Sequence, residues 1–173
     1  MRKEDIEETG VLNLFSGYKY EPLEEKVDDE YFDDIKPVLK HLYEVLCNSN
    51  DKIYDYVVKW LAHLLQKPWD KSGVPTILMK SDEGTGKNLF WEFVGDALGQ
   101  RYFTLINDLD DLTNKFNAGT EGKLLTLLNE IQNYGGNFKS NDKLKSILTD
   151  PIQRIEPKGK EAYLIKNFQD MLC

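Results

Sequence analysis

Pro75-Thr76-Ile77-Leu78-Met79-Lys80-Ser81-Asp82-Glu83-Gly84-Thr85-Gly86-Lys87-Asn88-Leu89-Phe90-Trp91 is the stretch from which the fold is read. An apolar, β-branched run from Val74 to Met79 predicts a strand. It leads into a loop with Gly84, Gly86 and Lys87, after which Leu89, Phe90, Phe93, Val94 and Leu98 recur at helical spacing. Strand, glycine loop with lysine, then helix is the order a phosphate-binding loop needs. Its backbone N–H groups and the positive end of the helix converge on one point, where an anion can sit. Lys87 then reaches the outer phosphates as a point charge. The pattern G-x-x-x-x-G-K-[ST] is met imperfectly. Ser81 stands where glycine is usual, and Asn88 stands where a hydroxyl normally ligates magnesium. The plainer alternative is a glycine-rich turn ahead of a helix, with Lys87 solvated.

A second element strengthens the nucleotide expectation. Lys123-Leu124-Leu125-Thr126-Leu127-Leu128 is a short apolar run suited to a buried parallel strand, and it ends in Asn129-Glu130. In P-loop ATPases an acidic residue at such a strand tip positions the attacking water, and its neighbour helps hold magnesium. Glu130 is therefore the expected base or water-orienting group. Asn88, Asn129 and Glu130 form the expected metal side, two of them neutral amides.

The chain of 173 residues carries 40% hydrophobic residues, enough for one domain with a core. Two cysteines, Cys47 and Cys173, indicate no disulfide framework, which suits a reducing, intracellular setting. No run reaches transmembrane length. The net charge of −8 argues against nucleic acid until its distribution is considered. Residues 1–34 hold twelve acidic against four basic side chains, which is the whole of that excess. Between 138 and 160 the balance reverses, with six basic residues (Lys139, Lys143, Lys145, Arg154, Lys158, Lys160) against three acidic ones. A local basic surface follows, although such runs are often only a solvated face.

Residues 1–70 read as an acidic segment and helical lead-in, with stripes at Ile35 to Leu46 and Ile53 to Leu65 separated by an Asn48–Asp51 turn and cap. Residues 71–173 read as alternating strand and helix. Gly99 ends the first helix, Tyr102 to Ile106 is a strand, and Leu144, Ile147 and Leu148 share a helical face. Ile152–Ile155 and Ala162–Ile165 pair around Lys158-Gly159-Lys160. His41 and His63 lack companion ligands and read as packing residues.

With these pieces placed, the order resembles the superfamily 3 helicases. It is similar, more narrowly, to the poxvirus-type primase-helicases of large DNA viruses, phages and related mobile elements. Asn13-Leu14-Phe15-Ser16-Gly17, Trp60-Leu61-Ala62 with Gln66-Lys67-Pro68, Phe116-Asn117 before the acidic strand, and Lys158-Gly159 in the hairpin carry the likeness. The resemblance implies an AAA+-like α/β P-loop NTPase core with a parallel sheet, preceded by a small helical region. It implies ATP and Mg²⁺ as cofactors, with Gly84, Thr85, Gly86, Lys87 and Asn88 binding the nucleotide and Lys87 and Glu130 catalytic. It further implies single-stranded DNA as partner, contacted by Lys158 and Lys160 and more weakly by Lys143 and Lys145, and a homo-hexamer when full length. The expected setting is viral or mobile-element DNA replication inside an infected cell. Family members continue into a sensor strand and an arginine finger. The chain is therefore expected to be a partial helicase and, alone, a weak ATPase. Another P-loop enzyme, such as a small-molecule kinase, and a non-catalytic binding remnant are the rival expectations.

Overall fold

The computed structural model describes residues 15–20, 29–72, 76–77, 86–113, 116–129 and 138–172. The expected Asn13-Leu14, Ser81 to Thr85, Glu130 and Cys173 lie outside the described residues, as do most of the Val74–Met79 run and the side chains of Lys87 and Lys143.

Helix α1 (Asp29–His41) runs into a π-helical turn over Leu42–Leu46, closed by the Cys47 N–H donating to the Leu42 carbonyl at 2.9 Å. Helix α2 (Asp51–Gln66) starts where Asn50 Oδ1 accepts from the N–H groups of Lys52 and Ile53, the cap expected from sequence. It stops before Pro68, whose ring disfavours helical backbone at Lys67. Its buried stripe is Val57, Trp60 and Leu64, while Ile53, Val58 and Leu65 stay exposed.

Strand β1 (Thr76–Ile77) precedes helix α3 (Lys87–Leu98), and Gly99 closes that helix at φ +89°. Strand β2 (Phe103–Ile106), the short helix α4 (Leu109–Thr113), a 3₁₀ turn (Ala118–Thr120) and strand β3 (Leu125–Leu128) follow. Helix α5 (Phe138–Thr149) leads to β4 (Ile152–Ile155), β5 (Tyr163–Lys166) and β6 (Asp170–Leu172). Strands β4 and β5 pair antiparallel, Ile152 opposite Lys166 and Ile155 opposite Tyr163, as the turn residues between them predict.

The other four strands make one sheet in the order β1-β6-β3-β2, parallel throughout. Register runs Ile77–Leu172–Leu127 across the middle, and Ile106 lies opposite Leu128. Parallel neighbours need crossovers that cover the sheet with helices, so both faces are apolar. On one face Leu125, Leu127 and Leu172 pack with Leu42, Cys47, Trp60 and Leu64 of the lead-in and with Phe90, Trp91, Val94 and Leu98 of α3. On the other, Ile106, Leu128 and Met171 pack with Leu112 of α4 and Leu144 and Ile147 of α5. The architecture is mixed α/β with a small parallel sheet between helical layers.

Two details depart from the helical-spacing expectation. The buried face of α3 is rotated toward Trp91, leaving Leu89 and Phe93 more than half exposed. Gly95 is the point where α3 meets the sheet: a Cβ there would lie 2.4 Å from Phe103 Cδ1 and 2.5 Å from its Cγ. Helix propensity alone would make Gly95→Ala stabilising by about 1 kcal/mol. The overlap with Phe103 reverses the sign, and we expect a loss of about 1–3 kcal/mol in urea unfolding. A gain in stability would show that α3 does not sit this close to β2.

Candidate functional site

The carboxyl-terminal edge of the parallel sheet gathers three side-chain amides. Asn88, in the first turn of α3, donates through Nδ2 to Asn129 Oδ1 at 2.6 Å. Asn129, just past β3, donates through its own Nδ2 to Asn107 Oδ1 at 3.0 Å, and its backbone N–H donates to the Ile106 carbonyl at 2.9 Å. Asn107 follows β2 directly. The amides therefore link the start of α3, the tip of β3 and the tip of β2, three elements far apart in sequence. Open α/β sheets bind ligands at this end of their strands.

Gly86 precedes α3 in the left-handed region, φ +77° and ψ +19°, which a side chain rarely adopts. Gly86 at the N-cap has no side chain to cap this helix, in contrast to Asn50 at the start of α2. His41, at the end of α1, donates through Nε2 to the Gly86 carbonyl at 3.3 Å. That carbonyl also accepts from the Phe90 N–H, the first bond of the helix. The lead-in thus touches the loop–helix junction through His41, a partner that spacing along the chain does not reveal.

Of the residues named from sequence, Gly86, Lys87 and Asn88 open α3, and Asn88 meets Asn129 across the sheet edge. Gly84, Thr85 and Glu130 lie outside the described residues. Lys158 and Lys160 sit exposed on the turn joining β4 to β5, and Lys145 is exposed on α5. Arg154 and Lys166 add charge to the same hairpin, and Ile152 and Leu164 expose apolar surface beside them.

A family profile described as a family of unknown function (DUF5906) matches residues 79–173, more than half of the chain. The chain belongs to that family. Among solved structures, this DUF5906 member is similar to the apo C-terminal region of NrS-1, residues 305–718. Identity is 25%, the TM-score is 0.68, and the match covers 89% of this chain and 35% of that one. A second structure, the A form of the apo NrS-1 C-terminal region, matches at 25% identity and TM-score 0.67, over 89% of this chain and 34% of that one. The chain spans about a third of the length of the structures it matches. No curated protein matches it.

At the opposite, amino-terminal edge of the sheet lies a cluster the sequence did not announce. Asp170, the first residue of β6, is 1% exposed. Its Oδ1 accepts from Ser72 Oγ at 3.0 Å, and Ser72 Oγ accepts from Trp60 Nε1 at 3.2 Å. Burial pushes the Asp170 carboxyl up to about 6, against the opposing pull of the Ser72 hydrogen bond and the nearby Lys71 and His63. Burial likewise lowers the Lys71 ammonium, whose Nζ donates to the Ile147 carbonyl at 3.3 Å.

Asp170 has a pH signature with a definite sign. A carboxyl that titrates near 6 when folded and near 4 when unfolded favours the folded state below about pH 4. That advantage is lost as pH rises through 6. Asp170→Asn removes the group. The stability of wild type relative to this variant should fall by roughly 2–3 kcal/mol between pH 4 and 7, read from urea unfolding. A difference that stays flat over this range would show that Asp170 is not buried as a carboxylate.

Proposed function

We propose that this DUF5906 member is the nucleotide-binding part of an ATP-driven DNA motor of the superfamily 3 helicase type, acting in viral or mobile-element DNA replication. One observation carries the assignment. The Asn88–Asn129 hydrogen bond brings the helix after the Gly84–Lys87 loop against the tip of the strand that precedes Glu130. The first turn of α3 and the tip of β3 thus meet at one edge of a parallel sheet, which supports reading the two motifs as one site. The strand order supports the same reading: β1 and β3, parallel and separated by β6 alone, end at the same carboxyl-terminal edge, where open α/β sheets bind ligands.

In this proposal the backbone N–H groups of Gly84, Thr85 and Gly86 receive the phosphates, Lys87 neutralises β/γ charge, and Glu130 orients the attacking water. Magnesium is usually held by water, substrate phosphates and one or two carboxylates. The described side chains here are amides, and Asn129 Oδ1 already accepts from Asn88. Among the described residues no three acidic, histidine or cysteine side chains gather to hold a metal. This donor set fits an ion carried in by the nucleotide, with Asn88 and Glu130 as protein contacts. When bound, such an ion offsets the charge that builds on the phosphates. Arg154, Lys158, Lys160 and Lys166 present a basic hairpin suited to phosphates of single-stranded DNA, bound without regard to sequence. A hexameric ring is the assembly this reading implies.

The amide pair itself favours a second reading, a binding module that holds nucleotide or DNA without hydrolysis, since both metal-side positions are neutral and satisfy each other. The two readings separate experimentally. Lys87→Ala should weaken ATP binding at least tenfold in a titration with labelled ATP, and unchanged affinity rejects both nucleotide readings. Glu130→Gln should keep ATP binding and lose DNA-stimulated turnover. A wild-type chain that binds ATP but never hydrolyses it, even in longer versions, favours the binding module. Lys158→Ala and Lys160→Ala should each weaken oligothymidylate binding and reduce its log K–log salt slope by about 0.7.

A further inference from the structure

The β4–β5 hairpin forms its own two-stranded sheet, and the end of β4 next to its turn is held by a buried amide outside the hairpin. Asn117, only 6% exposed, donates through Nδ2 to the Arg154 carbonyl at 2.9 Å. Its Oδ1 accepts from the Glu156 N–H, also at 2.9 Å. These two backbone groups flank Ile155, whose side chain is fully buried, and both face away from β5. The carboxamide therefore occupies the place of a neighbouring strand, offering one donor and one acceptor at the spacing of an extended chain.

A second bridge lies beside the first. Gln153 Nε2 donates to Thr120 Oγ1 at 2.9 Å, and Thr120 Oγ1 donates to the Asn117 carbonyl at 2.8 Å. Gln153, Thr120 and Asn117 thus form a closed, buried circuit between β4 and the 3₁₀ turn that feeds β3. On its far side the hairpin is tied to α5: Asn167 Nδ2 donates to the carbonyls of Ile147 and Asp150.

We propose that Asn117 is the positioning residue of the basic hairpin: its carboxamide fixes the backbone at Arg154 and Glu156, so that Lys158 and Lys160 are presented from a set place relative to β3. The structural half rests on geometry alone, and its consequence for DNA rests on the function proposed above. Asn117 touches neither nucleotide nor DNA in this account. It acts through the hairpin, so its loss changes where the lysines stand and not how many phosphates they can meet.

The test uses the full chain with Asn117→Ala and Asn117→Asp. In Asn117→Ala the Glu156 amide should exchange hydrogen about tenfold faster, while the Leu127 amide in the sheet keeps its protection. Affinity for fluorescein-labelled oligothymidylate should fall severalfold with an unchanged salt slope, in contrast to Lys158→Ala, which lowers the slope. Should Asn117→Ala loosen Leu127 as well, Asn117→Asp decides within one folded chain. Its ionised carboxyl faces the Arg154 carbonyl and repels it, whereas the protonated form restores the donor. Its DNA affinity relative to wild type should therefore recover as pH falls from 7 to 5. Unchanged Glu156 exchange in Asn117→Ala overturns the proposal, as does a salt slope that falls in step with affinity. A wild-type chain that binds no oligonucleotide overturns the helicase reading instead, and amide exchange at Glu156 then judges the clamp by itself.

Discussion

Asp170–Leu172 hydrogen-bonds to a parallel neighbour on each side, β1 through Met171 and Leu172 and β3 through all three residues. Both of its faces are covered, so nothing on this strand reaches water. A strand so short gains little from its own sequence preferences. It holds because β1 and β3 cannot complete their ladders without it, and an unpaired buried backbone group costs about 1–3 kcal/mol. The placement of everything else depends on this insertion. It separates the strand that precedes the glycine loop from the strand that precedes Asn129, and it fixes which edge each helix can reach.

Burying a strand of this kind brings polar groups with it, and the chain satisfies most of them with side chains. Asp170 takes the Ser72 hydroxyl. Thr126, fully buried on β3, accepts from Gln169 Nε2 just before β6. Asn167 collects two carbonyls at the end of α5, and its Oδ1 accepts from the Gln169 N–H. Such networks are stabilising only when their members are matched, because a half-satisfied buried amide is worse than an apolar side chain. Residues 167–170 thus tie the start of β6 to β3, to the end of α5 and to Ser72, with Gln169 Oε1 the one atom of this set left without a partner among the described residues.

Local signals were legible where the physics is local. The α3 boundaries follow from the glycine loop and Gly99, the α2 start from Asn50, and the hairpin from Lys158-Gly159-Lys160. Trp60 and Trp91 are buried as helical spacing implies, while Trp69, in the connector, is exposed. The Asn88–Asn129 contact joins the first turn of α3 to the tip of β3, while the glycine loop from Ser81 to Thr85 and Glu130 lie outside the described residues. What escaped are partnerships across long separations. Nothing near His41 marks Gly86 as its acceptor, and nothing near Asn107 marks Asn129 as its donor. Asp170 was invisible for a different reason: a charged residue opening a short apolar run reads as the end of a loop, and only the ladder on both sides shows it to be core.

The three linked amides at the carboxyl-terminal edge have a chemical corollary. Asn107, Asn129 and Asn88 gain and lose no protons over the range in which proteins survive, so their mutual orientation is indifferent to acidity. Hydrolytic ageing is another matter. Conversion of Asn129 to an aspartate keeps the acceptor for Asn88 but sets oxygen against oxygen toward Asn107, so slow deamidation during storage would force the exposed Asn107 amide to turn and present its Nδ2 instead.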